Sequence, residues 1–369
     1  MFLDFRQAKK IVAKHDTPLF VISESKLREN YLLLEKAWKR VSIYYAVKAN
    51  PHKGILNVLR DLGSNFDVAS YAEIQNLLSI GVDATRMIFA NPIKSTSDIL
   101  RAYNIGVNTF VFDNDAELQK LARYAPDSDV LLRLYVSSES AYYKLSAKFG
   151  ATEKHAIRLL KKAEKLGLNA RGIAYHVGSQ NPNPQEFVAA MLAAKKIMKE
   201  AKKAGLDLNL LDIGGGLPVQ YNGKQVDCMK IIEAVRDALD EHIPQNVKII
   251  AEPGRFIVGD AAVLLMKVVG KSKRNGVIWY YLDDGTYNSL VDVHVSKWKF
   301  EFLTSRRGKK IRSVLAGPTC DSYDVISKSE WLPELELNDL LIVPNAGAYT
   351  SALATNFNGF NPAKTVFID

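Results

Sequence analysis

From residue 43 onward, short apolar runs alternate with longer stretches in which apolar residues return every three or four positions. The runs cover 43–47, 65–69, 86–90, 109–112, 130–135, 172–177, 208–213 and 248–251. Helical periodicity fills 52–62, 71–80, 97–103, 115–124, 152–166, 184–204 and 227–241, and an eighth helix after Glu252 is less distinct. Near-continuous apolar strands joined by helical crossovers predict a parallel sheet covered on its faces, and eight such units predict a closed (β/α)8 barrel of the TIM type. An open, doubly wound sheet is the competing architecture. A strand at 19–22 and a helix at 25–39 lead into the barrel. After Phe256 the pattern changes: 261–271, 276–282, 310–316, 340–344 and 365–368 read as strands without long helices between them. Asp283-Asp284-Gly285 and Asn345-Ala346-Gly347 punctuate that region as turns. The sequence therefore predicts a barrel over 25–257 and a β-sandwich or small β-barrel domain over 258–369, completed by residues 1–24.

In a (β/α)8 barrel the C-terminal strand ends form the active-site face. Read in order, those ends are Lys48, Asp67, Asn91, Asp113, Arg133, His176, Gly214-Gly215-Gly216 and Glu252. Any one of them has a bland explanation, and Asp113 reads best as the N-cap of the following helix. Eight polar or glycine ends together point to a site.

Composition narrows the partners. The chain of 369 residues carries 49 Lys and Arg against 40 Asp and Glu, a net charge of +9, but the excess is interleaved with acids along helices. That is a solvated face rather than a nucleic-acid stripe. Two cysteines, Cys228 and Cys320, cannot build a disulfide framework and fit a reducing, cytoplasmic compartment. No stretch approaches the roughly 18 uninterrupted apolar residues of a membrane helix. No metal-ligand spacing stands out.

Lys48 closes "YYAVKANP", where partial desolvation in a barrel mouth would lower its amine's pKa and suit it to a Schiff base with a substrate carbonyl or pyridoxal 5'-phosphate (PLP). "DIGGGLP" (212–218) sets bare backbone N–H groups where a phosphate can approach, and "EPGRF" (252–256) adds Gly254 and Arg255 beside it. Glu252 would face a pyridine nitrogen and keep it protonated. His176, in "YHVGSQ", offers a flat ring for stacking. In the β region, "AGPTCDSYD" (316–324) places the Cys320 thiol beside Asp321, and "NAGAYTSALATNFNGF" (345–360) holds Tyr349 in a turn-rich loop suited to a ligand.

Together "YYAVKANP", "NFDVAS", "LSAKFGA", "YHVGSQ", "LDIGGGLP", "AEPGRF", "GPTCDSYDVI" and "GAYTSALATNFNGF" resemble, in order, the motifs of PLP-dependent ornithine/lysine decarboxylases of the alanine-racemase fold. The resemblance runs from about residue 17 to the end. It implies that Lys48 holds PLP, that His176 stacks on its ring and that Glu252 pairs with the ring nitrogen. Ser179, Gly215, Gly216, Gly254, Arg255 and Tyr349 would bind the phosphate, and Asp67 and Arg133 would line the cofactor site. It further implies a homodimer with shared sites, in which the partner's cysteine at 320 reprotonates Cα, Asp321 holds the distal ammonium, Tyr287 lines the substrate site, and Lys148 and Asp324 pair across the interface. The expected product is a diamine made from a basic amino acid, ornithine foremost and lysine second, for polyamine synthesis.

One departure from the family pattern concerns substrate length. Counting on from Tyr287 in "DDGTYNSL", the position of a second acid for the distal amine falls at Ser296, with Asp292 as a substitute if the loop shifts by a turn. Losing that carboxylate removes roughly 1–3 kcal/mol of charged hydrogen bonding. Lysine-specific, arginine, carboxynorspermidine or diaminopimelate decarboxylation are the alternatives, diaminopimelate being disfavoured by "CDS" where that branch resembles "CES". A non-catalytic regulatory homologue would be expected to lack Lys48 or Cys320, and a racemase to place an arginine by the ring nitrogen.

Overall fold

The structure, a computed structural model, describes residues 2–145, 147–221 and 226–369. Ser146 of the "LSAKFGA" motif therefore lies outside the described residues. The chain begins with α1 (Phe5–His15), β1 (Leu19–Ser23) and α2 (Glu24–Ala37). Strands β2 (Val41–Ala46), β3 (Asn65–Val68), β4 (Met87–Phe89), β5 (Thr109–Phe112), β6 (Asp129–Arg133), β7 (Asn169–Ala174), β8 (Leu210–Asp212) and β9 (Lys248–Ala251) follow. Between them run α3 (Lys53–Asp61), α4 (Tyr71–Leu78), α5 (Thr96–Asn104), α6 (Asp115–Tyr124), α7 (Glu153–Lys165), α8 (Pro184–Lys203) and α9 (Cys228–His242). The rest comprises α10 (Arg255–Val258), β10 (Ala262–Arg274), β11 (Val277–Leu282), α11 (Asp292–Val295), β12 (Leu303–Thr304), β13 (Lys310–Ala316), β14 (Val325–Pro333), β15 (Leu340–Val343) and β16 (Lys364–Ile368). Two compact units result: Arg28–Pro218 with Val226–Phe256, and Met1–Leu27 with Val219–Gln225 and Ile257–Asp369.

In the first unit, β2 to β9 pair in parallel and in sequence, and β9 pairs back to β2, so the sheet closes as expected. Apolar side chains on or next to β4, β5, β6, β7 and β9, namely Ile88, Ala90, Val111, Leu131, Ala174 and Ile250, form one core cluster, with Tyr44 and Leu210 packed against them. Polar caps decide where strands give way to helices: Ser70, Ser95, Asn114 and Asn183 each accept a hydrogen bond from a first-turn backbone N–H. Each such cap contributes about 1 kcal/mol. One buried cation ties two strand ends together. Lys94 Nζ donates to the carbonyls of Asn91 (2.8 Å) and Val111 (2.6 Å) and lies 3.0 Å from Glu117 Oε1.

Two strand ends differ from the sequence expectation in ways that matter. β2 stops at Ala46, and Val47–Ala49 form a single tight helical turn, closed by the Asn50 N–H on Val47 O at 3.1 Å. The residue before Pro51 cannot stay helical, so the turn is limited to those three residues. β7 begins at Asn169 and ends at Ala174, which leaves His176 two residues beyond the strand rather than on it.

In the second unit the strand order is β12-β15-β10-β11-β13-β14, with β1 antiparallel to β10 and parallel to β16. Its core gathers Leu3, Leu19, Val21, Val263, Leu265, Leu340 and Ile342. Besides the short α11 and β12, two longer elements escaped the apolar pattern. α1 is charge-rich on its outer face and is started by a capping box between Asp4 and Gln7. β14 carries Ser327, Lys328, Ser329 and Glu330 in mid-strand, where most side chains are at least partly exposed and the apolar alternation disappears. Among the described residues no helix is long and apolar enough to cross a membrane.

Candidate active site

In the barrel unit the Val47–Ala49 turn presents Lys48 with its side chain 42% exposed, while Val47 and Ala49 are buried on either side. Lys48 Nζ is paired with Asp67 Oδ2, from the neighbouring strand end β3. The other oxygen, Asp67 Oδ1, is buried and accepts no hydrogen bond within the described residues. Gly254 packs against the lysine turn so closely that a Cβ there would lie 2.9 Å from the Ala49 methyl and 3.2 Å from that of Ala46. Glycine at 254 is thus what lets the segment after β9 approach Lys48.

On the other side of β2 in the ring from β3, Asp212 at the end of β8 and Glu252 just after β9 are both buried. The segments are knitted together by Glu252 N–H on Gly214 O (2.8 Å) and Gly214 N–H on Asp212 Oδ1 (2.8 Å). Burial pushes Glu252 well above the usual carboxylate range, and the charges of Asp212 and Asp67 push the same way against Lys48 and Arg133. Burial likewise raises Asp212 to about 6, against a hydrogen bond from Glu252. Two carboxyls this close cannot both ionise, so the pair holds a proton, and Glu252 carries it. Glu252 Oε1 has no hydrogen-bond partner within the described residues.

His176 is partly buried and held neutral: desolvation comes first, and the charges of Arg133 and Lys48 reinforce it. Its Nδ1 accepts from Gly178 N–H at 3.0 Å, which fixes the remaining proton on Nε2. That Nε2 lies 3.4 Å from where a Gly215 Cβ would stand, so the ring edge overlies the glycine run. A Cβ on Gly215 would also approach Glu252 O to 2.6 Å, and one on Gly216, at φ +116°, Gly178 O to 2.4 Å. Arg255, nearly buried, donates from Nε to Ser179 Oγ at 3.3 Å and lies over the Tyr143 ring.

The β unit assembles a second group of candidates. The Tyr287 hydroxyl donates to Asp321 Oδ2, Tyr323 N–H donates to Oδ1 at 2.9 Å, and the Tyr287 ring stacks on Phe357 with centroids 4.5 Å apart. Cys320 is exposed, and its N–H is held by Asn358 Oδ1 at 3.1 Å. Tyr349 adopts φ +57°, a left-handed conformation that a tyrosine rarely takes. Ser296 does not join Asp321. Its hydroxyl donates to Asp292 O (2.9 Å) at the end of α11, because a helix C-terminus leaves carbonyls to satisfy. Asp324, given by resemblance to a pairing with Lys148, is 2% exposed and has both oxygens occupied inside its own unit. Thr286 N–H and hydroxyl donate to Oδ1, and Thr319 N–H and hydroxyl to Oδ2.

Two titratable residues of the barrel mouth lay unread in the sequence. Asp212 begins "DIGGG", a segment noticed for its glycines. Glu73 caps α4 by accepting from Ala69 N–H at 2.7 Å, and burial raises it to about 7 beside Asp67 and Lys48. The Ser70-x-x-Glu73 spacing of a capping box was its only signal. A cavity of about 650 Å³ in the β unit, between Thr17, Tyr281, Pro318 and Phe360, borders the Gly317–Thr319 loop but contains none of the predicted site residues.

Residues 24–259 match the family model for the pyridoxal binding domain of pyridoxal-dependent decarboxylases. The lysine/ornithine decarboxylase of Selenomonas ruminantium is 38% identical over 368 residues, covering 100% of this chain and 93% of its own. A crystal structure of the lysine decarboxylase of that organism with PLP and cadaverine superposes with a TM-score of 0.95 at 37% identity, covering 100% of this chain and 94% of that one. The lysine/ornithine decarboxylase of Vibrio vulnificus, complexed with cadaverine, gives 0.93 at 36% identity with 100% of both chains covered.

Proposed function

The chain belongs to the pyridoxal-dependent decarboxylases, and from that premise we propose that it converts L-ornithine to putrescine and, as a second substrate, L-lysine to cadaverine. The observation that carries the site is the convergence of an accessible lysine, a glycine run without room for side chains and a buried protonated glutamic acid on one barrel face. These residues fit PLP. The glycine segments pack so closely on Gly178, Glu252 and the lysine turn that no side chain fits there, which leaves bare backbone beside two buried carboxyl oxygens, Asp67 Oδ1 and Glu252 Oε1, that have no partner within the described residues. Once bound, the cofactor supplies an electron sink for the pair left on Cα when CO₂ departs.

The protein's own residues would then divide the work. Lys48 Nζ would be the atom that holds the cofactor covalently, and Asp67, which pairs with that nitrogen, would keep it in place. Gly215, Gly216 and Gly254, with Ser179, Arg255 and Tyr349, bind the phosphate. Neutral His176 stacks without adding a charge, and Arg133 lines the site. Glu252, with Oε1 unpartnered within the described residues, would pair with the ring nitrogen, and the proton that the Asp212–Glu252 pair retains would keep that nitrogen protonated. We assign the second half of the site to a homodimer partner, whose cysteine at position 320 protonates Cα and whose Asp321 receives the distal ammonium. With Ser296 turned away, one carboxylate rather than two faces that ammonium, which supports tolerance of both ornithine and lysine. Two thiols and no disulfide support a reducing, cytoplasmic setting and a place in polyamine synthesis.

Borohydride reduction of the PLP-loaded protein followed by peptide mass spectrometry tests the site: the cofactor mass is expected on Lys48. Addition at another lysine with Lys48 unmodified contradicts it.

A further inference from the structure

The α11 helix touches the Cys320–Asp324 loop through one side chain that the decarboxylation chemistry leaves unused. His294 Nε2 lies 2.8 Å from the Tyr323 carbonyl oxygen and 3.0 Å from Thr286 Oγ1. A carbonyl only accepts, and the Thr286 hydroxyl proton already goes to Asp324 Oδ1 at 3.0 Å. Nε2 must therefore carry a proton and donate to both oxygens, which leaves Nδ1 as the position that titrates. Gaining a proton there adds a positive charge without disturbing the bond that holds the loop. Tyr323 lies two residues from Asp321, whose carboxylate its N–H grips at 2.9 Å. The ionisable groups on the segments that meet the imidazole are Asp321, Tyr323 and Asp324 on the held loop, Asp284 and Tyr287 on the segment that carries Thr286, and Asp292 on α11 itself. Of these, Asp324 is saturated by four hydrogen bonds and Asp284 by bonds from Ser289 and Gly285, which leaves Asp321 as the partly exposed carboxylate on the held loop.

We propose that His294 is a positioning and specificity residue: neutral, it holds the Asp321 turn in place, and protonated, it competes electrostatically with the substrate's distal ammonium for Asp321. The inference rests on the proposed role of Asp321 in binding that ammonium. The Tyr287 hydroxyl and the Tyr323 N–H hold the Asp321 carboxyl below the usual range against partial burial, and a charge on His294 would act in the same direction. A proton added at Nδ1 places a cation near Asp321, so binding of a diamine should be weaker at about pH 5.5 than at about pH 8. A charge added near an exposed carboxylate is screened by water, and the expected weakening is about three- to fivefold.

The test measures the dissociation constant of putrescine and the KM and kcat for ornithine on PLP-loaded protein at pH 5.5 and pH 8. His294→Gln keeps a donor for Tyr323 O but cannot titrate. It should remove about three- to fivefold of the acid weakening in putrescine binding and KM, with kcat moving less than about twofold. The same acid dependence in His294→Gln as in wild type overturns the proposal. A titration of the His294 ring protons by NMR, with and without putrescine, does not depend on the variant folding: by reciprocity, bound putrescine should lower the pH at which the ring titrates. An unchanged midpoint also overturns it. Asp321→Asn separates the two layers. If it binds putrescine as wild type does, the role of Asp321 fails and takes this inference with it. If it weakens binding while His294→Gln leaves the pH dependence intact, only the His294 inference fails.

Discussion

A buried carboxyl that keeps its proton is the feature on which the residue-scale chemistry turns. Asp212 and Glu252 both resist ionisation because burial outweighs the Arg133 charge and, for Glu252, the Lys48 charge as well. A carboxyl raised in the folded state binds its proton more tightly there than in the unfolded chain. Its stabilising contribution is full below the ordinary carboxylate pKa near 4 and is lost as pH rises through the folded value, about 6 for Asp212. The cofactor-free protein should thus lose stability between about pH 4 and 6, and Asp212→Asn should escape roughly 2–3 kcal/mol of that loss. Urea midpoints across this range check it; parallel profiles for the two proteins would contradict the paired-carboxyl reading. The sequence revealed Glu252 because it ends a strand beside a glycine-arginine turn. It hid the coupling, because Asp212 and Glu252 are 40 residues apart and meet only through the parallel pairing of β8 with β9.

At the scale of elements, the loop bearing Cys320 and Asp321 owes its shape to Asp324. Four donors converge on its buried carboxylate, and Gly285 and Gly317 pack so close that an added Cβ would come within 2.4 Å of its oxygens. Asp324→Ala strands those donors and should cost about 2–4 kcal/mol. Calorimetry should then show a Tm lower by about 5–10 °C; a Tm within about 1 °C of wild type would mean the bonds are not formed in solution. Periodicity found the elements that bury one face and misplaced their ends. β5, α6 and β9 fall where the pattern put them, with apolar residues bounded by polar caps or turns. β14 and α1 did not show, because a half-exposed strand and a charge-rich helix carry little apolar contrast. Lys48 was legible as a residue at the end of an apolar run, but the short turn that aims it follows from Asn50-Pro51, a local constraint that periodicity does not register.

For the whole molecule, the expectation of a closed parallel barrel followed by a β region rested on counting eight repeats and on their sudden end after Phe256, and both survive in the topology. What no single-chain pattern contains is a shared site between copies. If Lys48 acts with the partner's cysteine, Lys48→Ala and Cys320→Ala homodimers are each inactive, whereas a mixture of the two forms heterodimers with one intact site. Random exchange makes half of the dimers mixed, so the mixture should regain about a quarter of wild-type activity. Activity no greater than the sum of the separate variants would place both residues in one subunit. The most direct measurement is the product inventory of the PLP-loaded protein given L-ornithine, L-lysine, L-arginine and diaminopimelate separately, with trapped CO₂ and amine mass quantified together. Equimolar CO₂ and putrescine from ornithine, with slower cadaverine from lysine, is the predicted result. Recovery of the amino acids without CO₂, racemised or unchanged, would contradict it.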